Sequence, residues 1–136
     1  ESCTGGMLGK EITSVSGASE IYGFGFITYA NEAKMSLLGV KKETLEEYGA
    51  VSEQTAMEMA IGARKNAQSD IAVSTTGIAG PGGGTWEKPV GLVYISLAYK
   101  GGTLVKKLNL QGDRDSVRTQ TCENVFNLID EFLKNH

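Results

Sequence analysis

The segment Thr75-Thr76-Gly77-Ile78-Ala79-Gly80-Pro81-Gly82-Gly83-Gly84-Thr85 constrains this chain most. Five glycines in eight positions suit neither a helix interior nor a strand interior. The short β-branched run before it, residues 70–76, reads as a buried strand feeding a loop at its C-terminal end. A second segment of the same character, Glu1-Ser2-Cys3-Thr4-Gly5-Gly6, opens the chain. Both combine hydroxyl side chains with glycines, so backbone N–H groups and side-chain oxygens can approach one small ligand without Cβ atoms in the way.

The remaining pattern interleaves helices and strands. Met7, Leu8, Ile12 and Val15 fall at helical spacing and predict a helix over residues 4–15, with Ser2, Cys3 and Thr4 at its N-terminus. Residues 21–30 are aromatic and β-branched, broken by Gly23 and Gly25, and predict a bulged strand ending near Thr28-Tyr29; Asn31 is expected to cap the helix after it. Short helices over 32–38 and 42–48 stop at Gly39 and Gly49, and Ser52 with Glu53 starts a longer helix to about Gln68. Residues 90–100 and 103–111 around Gly101-Gly102 predict a hairpin, and residues 115–133 a final helix. The fold class expected is α/β, with a mixed β-sheet covered by helices on both faces. The 28–30 and 75–77 strand ends and Ser2 would then share one crevice.

Composition narrows the function classes. The 136 residues suit a single domain, which at this length buries roughly two-thirds of its unfolded surface. A net charge of -3 supplies no broad cationic field, so no nucleic acid partner is expected, although a small anion can still bind locally. The longest apolar run, residues 90–99, contains Gly91 and Ser96 and falls short of the ~20 residues a spanning helix needs, so no membrane association is expected. Cys3 and Cys122 have neither metal-ligand nor disulfide-framework spacing, which with no leader segment points to a cytoplasmic protein. Because the chain starts with Glu inside its most informative motif, a strand is expected upstream of it.

Several side chains suit amide or ester chemistry. A serine at a helix start, like Ser2, has N–H groups available for an oxyanion, although capping also explains Ser2 and Thr4. The only histidine, His136, is the last residue, so a Ser-His-Asp triad is not expected and another base is needed. Lys34, five residues after Tyr29 across a strand-to-helix turn, can supply one if burial lowers its pKa; the competing reading is a solvated lysine. Cys3 is a rival nucleophile or a small apolar filler. Glu1 can orient Lys34 or a ligand hydroxyl, or cap the helix. The loop is no Walker loop and no dinucleotide fingerprint, but its amides can form an anion nest. Arg114 and Arg118 offer guanidinium groups to a phosphate or carboxylate, or pair with Asp113 or Asp115.

Four segments in order, Glu1-Ser-Cys-Thr-Gly-Gly6, Thr28-Tyr-Ala-Asn-Glu-Ala-Lys34, Gly49-Ala-Val-Ser52 and Thr76-Gly-Ile-Ala-Gly-Pro-Gly-Gly-Gly-Thr85, resemble the CinA C-terminal domain family. The likeness extends through Lys88-Pro89-Val90-Gly91 and Gly112-Asp113-Arg114 to nearly the whole chain. It implies one domain over residues 1–136, a three-layer α/β/α sandwich and nicotinamide mononucleotide deamidase activity, releasing ammonia and nicotinic acid mononucleotide in pyridine nucleotide salvage. By the same resemblance Ser2 is the nucleophile, Lys34 its base, Tyr29 a supporting hydroxyl and Thr76 a ligand-contacting or oxyanion-side residue. Thr4, Gly5, Gly77, Gly80, Gly82, Gly83, Arg114 and Arg118 fall to substrate binding. No metal or organic cofactor is implied, and a homodimer or higher homo-oligomer is. Family members also occur as the C-terminal half of longer competence- and damage-associated proteins. A non-catalytic nucleotide-binding or regulatory module is the alternative reading.

Overall fold

The computed structural model describes all 136 residues. In chain order they form α1 (Met7–Thr13), a single 3-10 turn (Ala18–Glu20), α2 (Asn31–Leu38), α3 (Lys42–Tyr48), α4 (Glu53–Ala67), β1 (Ala72–Gly77), β2 (Leu92–Tyr99), β3 (Gly102–Asn109) and α5 (Arg114–Asn135). No helix is long and apolar enough to cross a membrane.

The strands lie in the order β1-β2-β3, and both pairings are antiparallel. Because side chains alternate across a strand, the register sends Val93, Ile95 and Leu97 of β2 to one face, where they share a core with Val117, Val125, Leu128 and Phe132 of α5 and Leu8 of α1. The opposite face carries Ser74 and Thr76 of β1, whose hydroxyls donate to Ala56 O of α4 and to Ala50 O. Helices therefore cover both faces, with α4 on one side and α5 on the other, in an α/β fold.

The expected mixed sheet is corrected on one point, since its regular ladder is antiparallel throughout. Residues 22–30 form no strand. Their ladder partner is one residue deep: the backbone nitrogen of Glu1 donates to Phe26 O (2.7 Å) and Thr28 N donates to Glu1 O (2.8 Å), the pattern of a single parallel bridge. Ser2 N donates to Thr75 O (3.0 Å), so the first two residues tie this segment to β1.

Smaller differences have local causes. The first helix begins at Met7, because Gly5 N closes a turn onto Ser2 O (3.0 Å) and Gly5 and Gly6 both take positive φ. Asn31 is the first helical residue of α2 and makes no capping bond, whereas Ser52 caps α4 by accepting from Thr55 N (3.1 Å). Helix α5 begins at Arg114, one residue before the expected start, and Asp113 caps it by accepting from Ser116 N (2.9 Å). The hairpin turns at Lys100-Gly101, with Tyr99 paired to Gly102, one residue before the expected Gly101-Gly102.

Helix α4 approaches the end of α2 so closely that a Cβ on Gly62 would lie 1.8 Å from Leu38 O. A backbone carbonyl cannot rotate away as a side chain can. Gly62→Ala is expected to destabilise the protein by about 1–3 kcal/mol despite the better helix propensity of alanine, measured by urea unfolding. Unchanged or raised stability would contradict this packing.

Candidate active site

The C-terminal end of β1, the Ser2 turn, the start of α2 and the first residue of α5 converge on one cavity of about 190 Å³, lined by Ser2, Tyr29, Lys34, Thr76, Gly77 and Arg114 together with Cys3, Ala50, Val51 and Ala79. Its walls come from opposite ends of the chain. Gly77 allows the close packing of this strand end, since a Cβ there would meet Leu92 O at 2.8 Å and Val93 Cγ2 at 2.6 Å.

Lys34 is the charged residue most deeply withdrawn from solvent, with 1% of its surface exposed. It enters from the first turn of α2, and its Nζ contacts Thr28 O (2.9 Å), Tyr29 O (3.1 Å) and Ser2 Oγ (3.1 Å). No carboxylate forms an ion pair with it. Burial holds its pKa below the ordinary lysine value of 10.5. The two carbonyls can only accept, so they fix two N–H directions of the amine. The third direction points at the serine hydroxyl, which can give or take a proton.

The neighbouring residues settle several alternatives. Burial pushes the Cys3 thiol up to about 11, so beside Ser2 it is protonated and weakly nucleophilic near neutral pH. Glu1 does not reach Lys34; its carboxylate accepts from Leu8 N and Gly9 N (both 2.9 Å), Gly6 N (3.2 Å) and Thr4 Oγ1 (2.6 Å), and so caps α1. Arg114 donates from Nη2 to Tyr29 Oη (3.1 Å) and from Nη1 to Gly80 O (2.7 Å), spanning the cavity mouth. Neither Arg114 nor Arg118 pairs with a carboxylate.

Thus the structure brings together Ser2, Tyr29, Lys34, Thr76, Gly77 and Arg114. Thr4, Gly5 and Arg118 lie behind the wall, outside the lining: Arg118 Nη2 donates to Thr4 O (2.8 Å), and a Cβ on Gly5 would press on that guanidinium at 3.1 Å. Gly80 meets the site through its carbonyl bond to Arg114, while Gly82 and Gly83 stand on the exposed part of the loop. Ala50 and Val51, from the stretch before α4, and the buried Thr75 belong to the site or its wall without being singled out by residue type.

A model of the CinA C-terminal domain matches residues 1–133. The chain belongs to the CinA C-terminal domain family. It is 56% identical over 133 residues to a competence-damage inducible protein of Thermoanaerobacter pseudethanolicus, covering 98% of this chain and 32% of that protein. It is 60% identical over 129 residues to one from Clostridium perfringens, covering 95% and 31% respectively. The chain therefore spans about a third of the length of these relatives. Among solved structures, a CinA superfamily protein from Klebsiella pneumoniae superposes with a TM-score of 0.96 at 32% identity, covering 99% of this chain and 84% of that one. The competence/damage inducible protein CihA from Agrobacterium tumefaciens gives 0.93 at 42% identity, covering 96% and 80%.

The lowered pKa of Lys34 has a sign that unfolding measurements can check. Between its native value and the unfolded value near 10.5, the unfolded chain binds more protons, so stability rises with pH across that window. Relative to Lys34→Met, the wild type is expected to gain unfolding free energy as pH is raised toward 10.5. A difference independent of pH would show that Lys34 titrates as an ordinary lysine.

Proposed function

We propose that this domain is an amidohydrolase that uses Ser2 as nucleophile and Lys34 as base to hydrolyse the carboxamide of nicotinamide mononucleotide. The observation that carries the reading is the 3.1 Å contact between Ser2 Oγ and a buried lysine amine whose other partners are two backbone carbonyls. Such an amine, in its neutral form, takes the serine proton as Oγ bonds to the amide carbon. The N–H of Cys3, next after the nucleophile in a cavity-lining residue, donates to no protein acceptor and is available to the developing oxyanion.

Collapse of the tetrahedral adduct breaks the C–N bond. The proton held by Lys34 passes to the leaving nitrogen, which departs as ammonia, and an ester on Ser2 remains. Water then adds to the ester carbon with Lys34 again taking a proton, and breakage of the C–Oγ bond returns that proton to Ser2 and frees the carboxylic acid. Arg114, at the mouth and unpaired with any carboxylate, supports a substrate carrying an anionic group outside the reacting ring. Thr76 is occupied by its bond to Ala50 O (2.7 Å) and lines the cavity wall.

Ammonia release from nicotinamide mononucleotide is expected to fall on the order of 10³-fold or more in Ser2→Ala and about 10²–10⁴-fold in Lys34→Ala, with the circular dichroism of the folded protein retained. Normal turnover in either variant would remove that residue from the mechanism. Tight binding of the mononucleotide without ammonia from the wild type would instead favour the nucleotide-binding module. Arg114→Met is expected to raise KM for the mononucleotide at least tenfold while leaving the poor turnover of free nicotinamide unchanged. Equal effects on both substrates would place Arg114 away from the phosphate.

A further inference from the structure

Behind the cavity wall a second set of hydroxyls carries no substrate role. Thr4 and Thr75 are both fully buried, and their Oγ1 atoms lie 2.8 Å apart. Thr4 Oγ1 donates to Glu1 Oε1 at 2.6 Å, and an ionised carboxylate can only accept, so the single proton of Thr4 is committed there. The 2.8 Å contact must therefore be donated by Thr75. That fixes the Thr75 side chain and turns its lone pairs toward the backbone N–H of Ser2, which donates to Thr75 O at 3.0 Å and reaches Thr75 Oγ1 at 3.4 Å.

The chain of donors thus has one direction, from Thr75 to Thr4 to the Glu1 carboxylate. It is anchored by three further amides on Glu1 and, from the opposite side, by Arg118 Nη2 on Thr4 O. The Nε of Arg118 is buried without a partner, so that guanidinium is held in place by the Thr4 carbonyl on its other branch. Lys34 has a root of its own in α2, while the carbonyls of Thr28 and Tyr29 that receive it belong to a segment tied to the Glu1 backbone. The distance between base and nucleophile therefore depends on where β1 holds Ser2.

We infer that Thr75, acting through Thr4 and Glu1, is a positioning residue that sets the nucleophile against its base, and that Arg118 belongs to this brace rather than to the substrate site. The inference rests on the serine–lysine reading of the cavity, though not on the identity of the substrate. Thr75→Val keeps the shape and removes the hydroxyl; Thr75→Ser restores it. A misplacement approaching 1 Å at reacting atoms costs about a hundredfold, so Thr75→Val is expected to lower kcat for nicotinamide mononucleotide roughly ten- to hundredfold with KM within about twofold, and Thr75→Ser to recover most of it.

The same variants are read with a fluorophosphonate, which needs only an activated serine. Ser2 Oγ bonds to phosphorus, fluoride leaves and the serine proton passes to Lys34. Labelling of Ser2 is expected to slow at least tenfold in Thr75→Val and to recover in Thr75→Ser. If the wild type is labelled but releases no ammonia, the substrate reading fails while the labelling rates still judge the brace. Labelling of Thr75→Val at the wild-type rate, no rescue by serine, or a wild type that is not labelled at Ser2 each overturns it. Thr4→Val gives a second, independent reading of the same brace in the same assay.

Discussion

A primary amine with almost no contact with water, and only neutral oxygens around it, is the constraint on which the site depends. Lys34 stabilises nothing as an ion pair, because no carboxylate answers it. Burying an unpaired ammonium costs several kcal/mol, and that cost pulls the pKa of Lys34 below its ordinary value. The fold supplies what a neutral amine needs, two carbonyls for its N–H groups and one hydroxyl for its lone pair. A helix-borne side chain otherwise suited to the surface is thereby held where its charged form is disfavoured.

Holding those three oxygens in place requires distant parts of the chain. Thr28 and Tyr29 belong to a segment with no regular structure of its own, kept in position by two backbone bonds to Glu1. Glu1 and Ser2 are in turn tied to β1, and β1 is fixed between β2 and α4. The antiparallel sheet acts as a rigid floor, and the site is assembled at the edge where β1 has no further strand partner. There a backbone carbonyl, Thr75 O, accepts from Ser2 N instead.

Much of this is legible from residue order. The long helices agree with apolar spacing and with caps such as Ser52, and the hairpin with its double glycine, although the turn sits one residue earlier because Gly102 pairs with Tyr99. Ser2, Tyr29, Lys34, Thr76 and Arg114 are adjacent in space as their types suggest. The strand expected over 21–30 is absent because β propensity describes side chains that fit a pleated surface, whereas Ile21, Phe24 and Ile27 remain exposed and only one residue pairs with the segment. Residue type cannot separate Arg118 and Thr4 from Arg114 and Ser2, since which side of a wall a side chain occupies is tertiary information. Thr75 carries one usable signal: strand alternation puts it and Thr76 on opposite faces of β1, so at most one of the two can face α4.

The burial of the Cys3 thiol, next to Ser2, has a consequence for its behaviour toward oxidants. Peroxides attack thiolates, and a thiol with its pKa pushed up to about 11 exposes only about one part in ten thousand in that form at neutral pH. A thiol in the cavity lining next to Ser2 would ordinarily be the most readily oxidised atom there. Here the same exclusion of water that lowers the pKa of Lys34 raises that of Cys3, so one set of surroundings disfavours the charged form of the amine and holds the sulfur in its less oxidisable form.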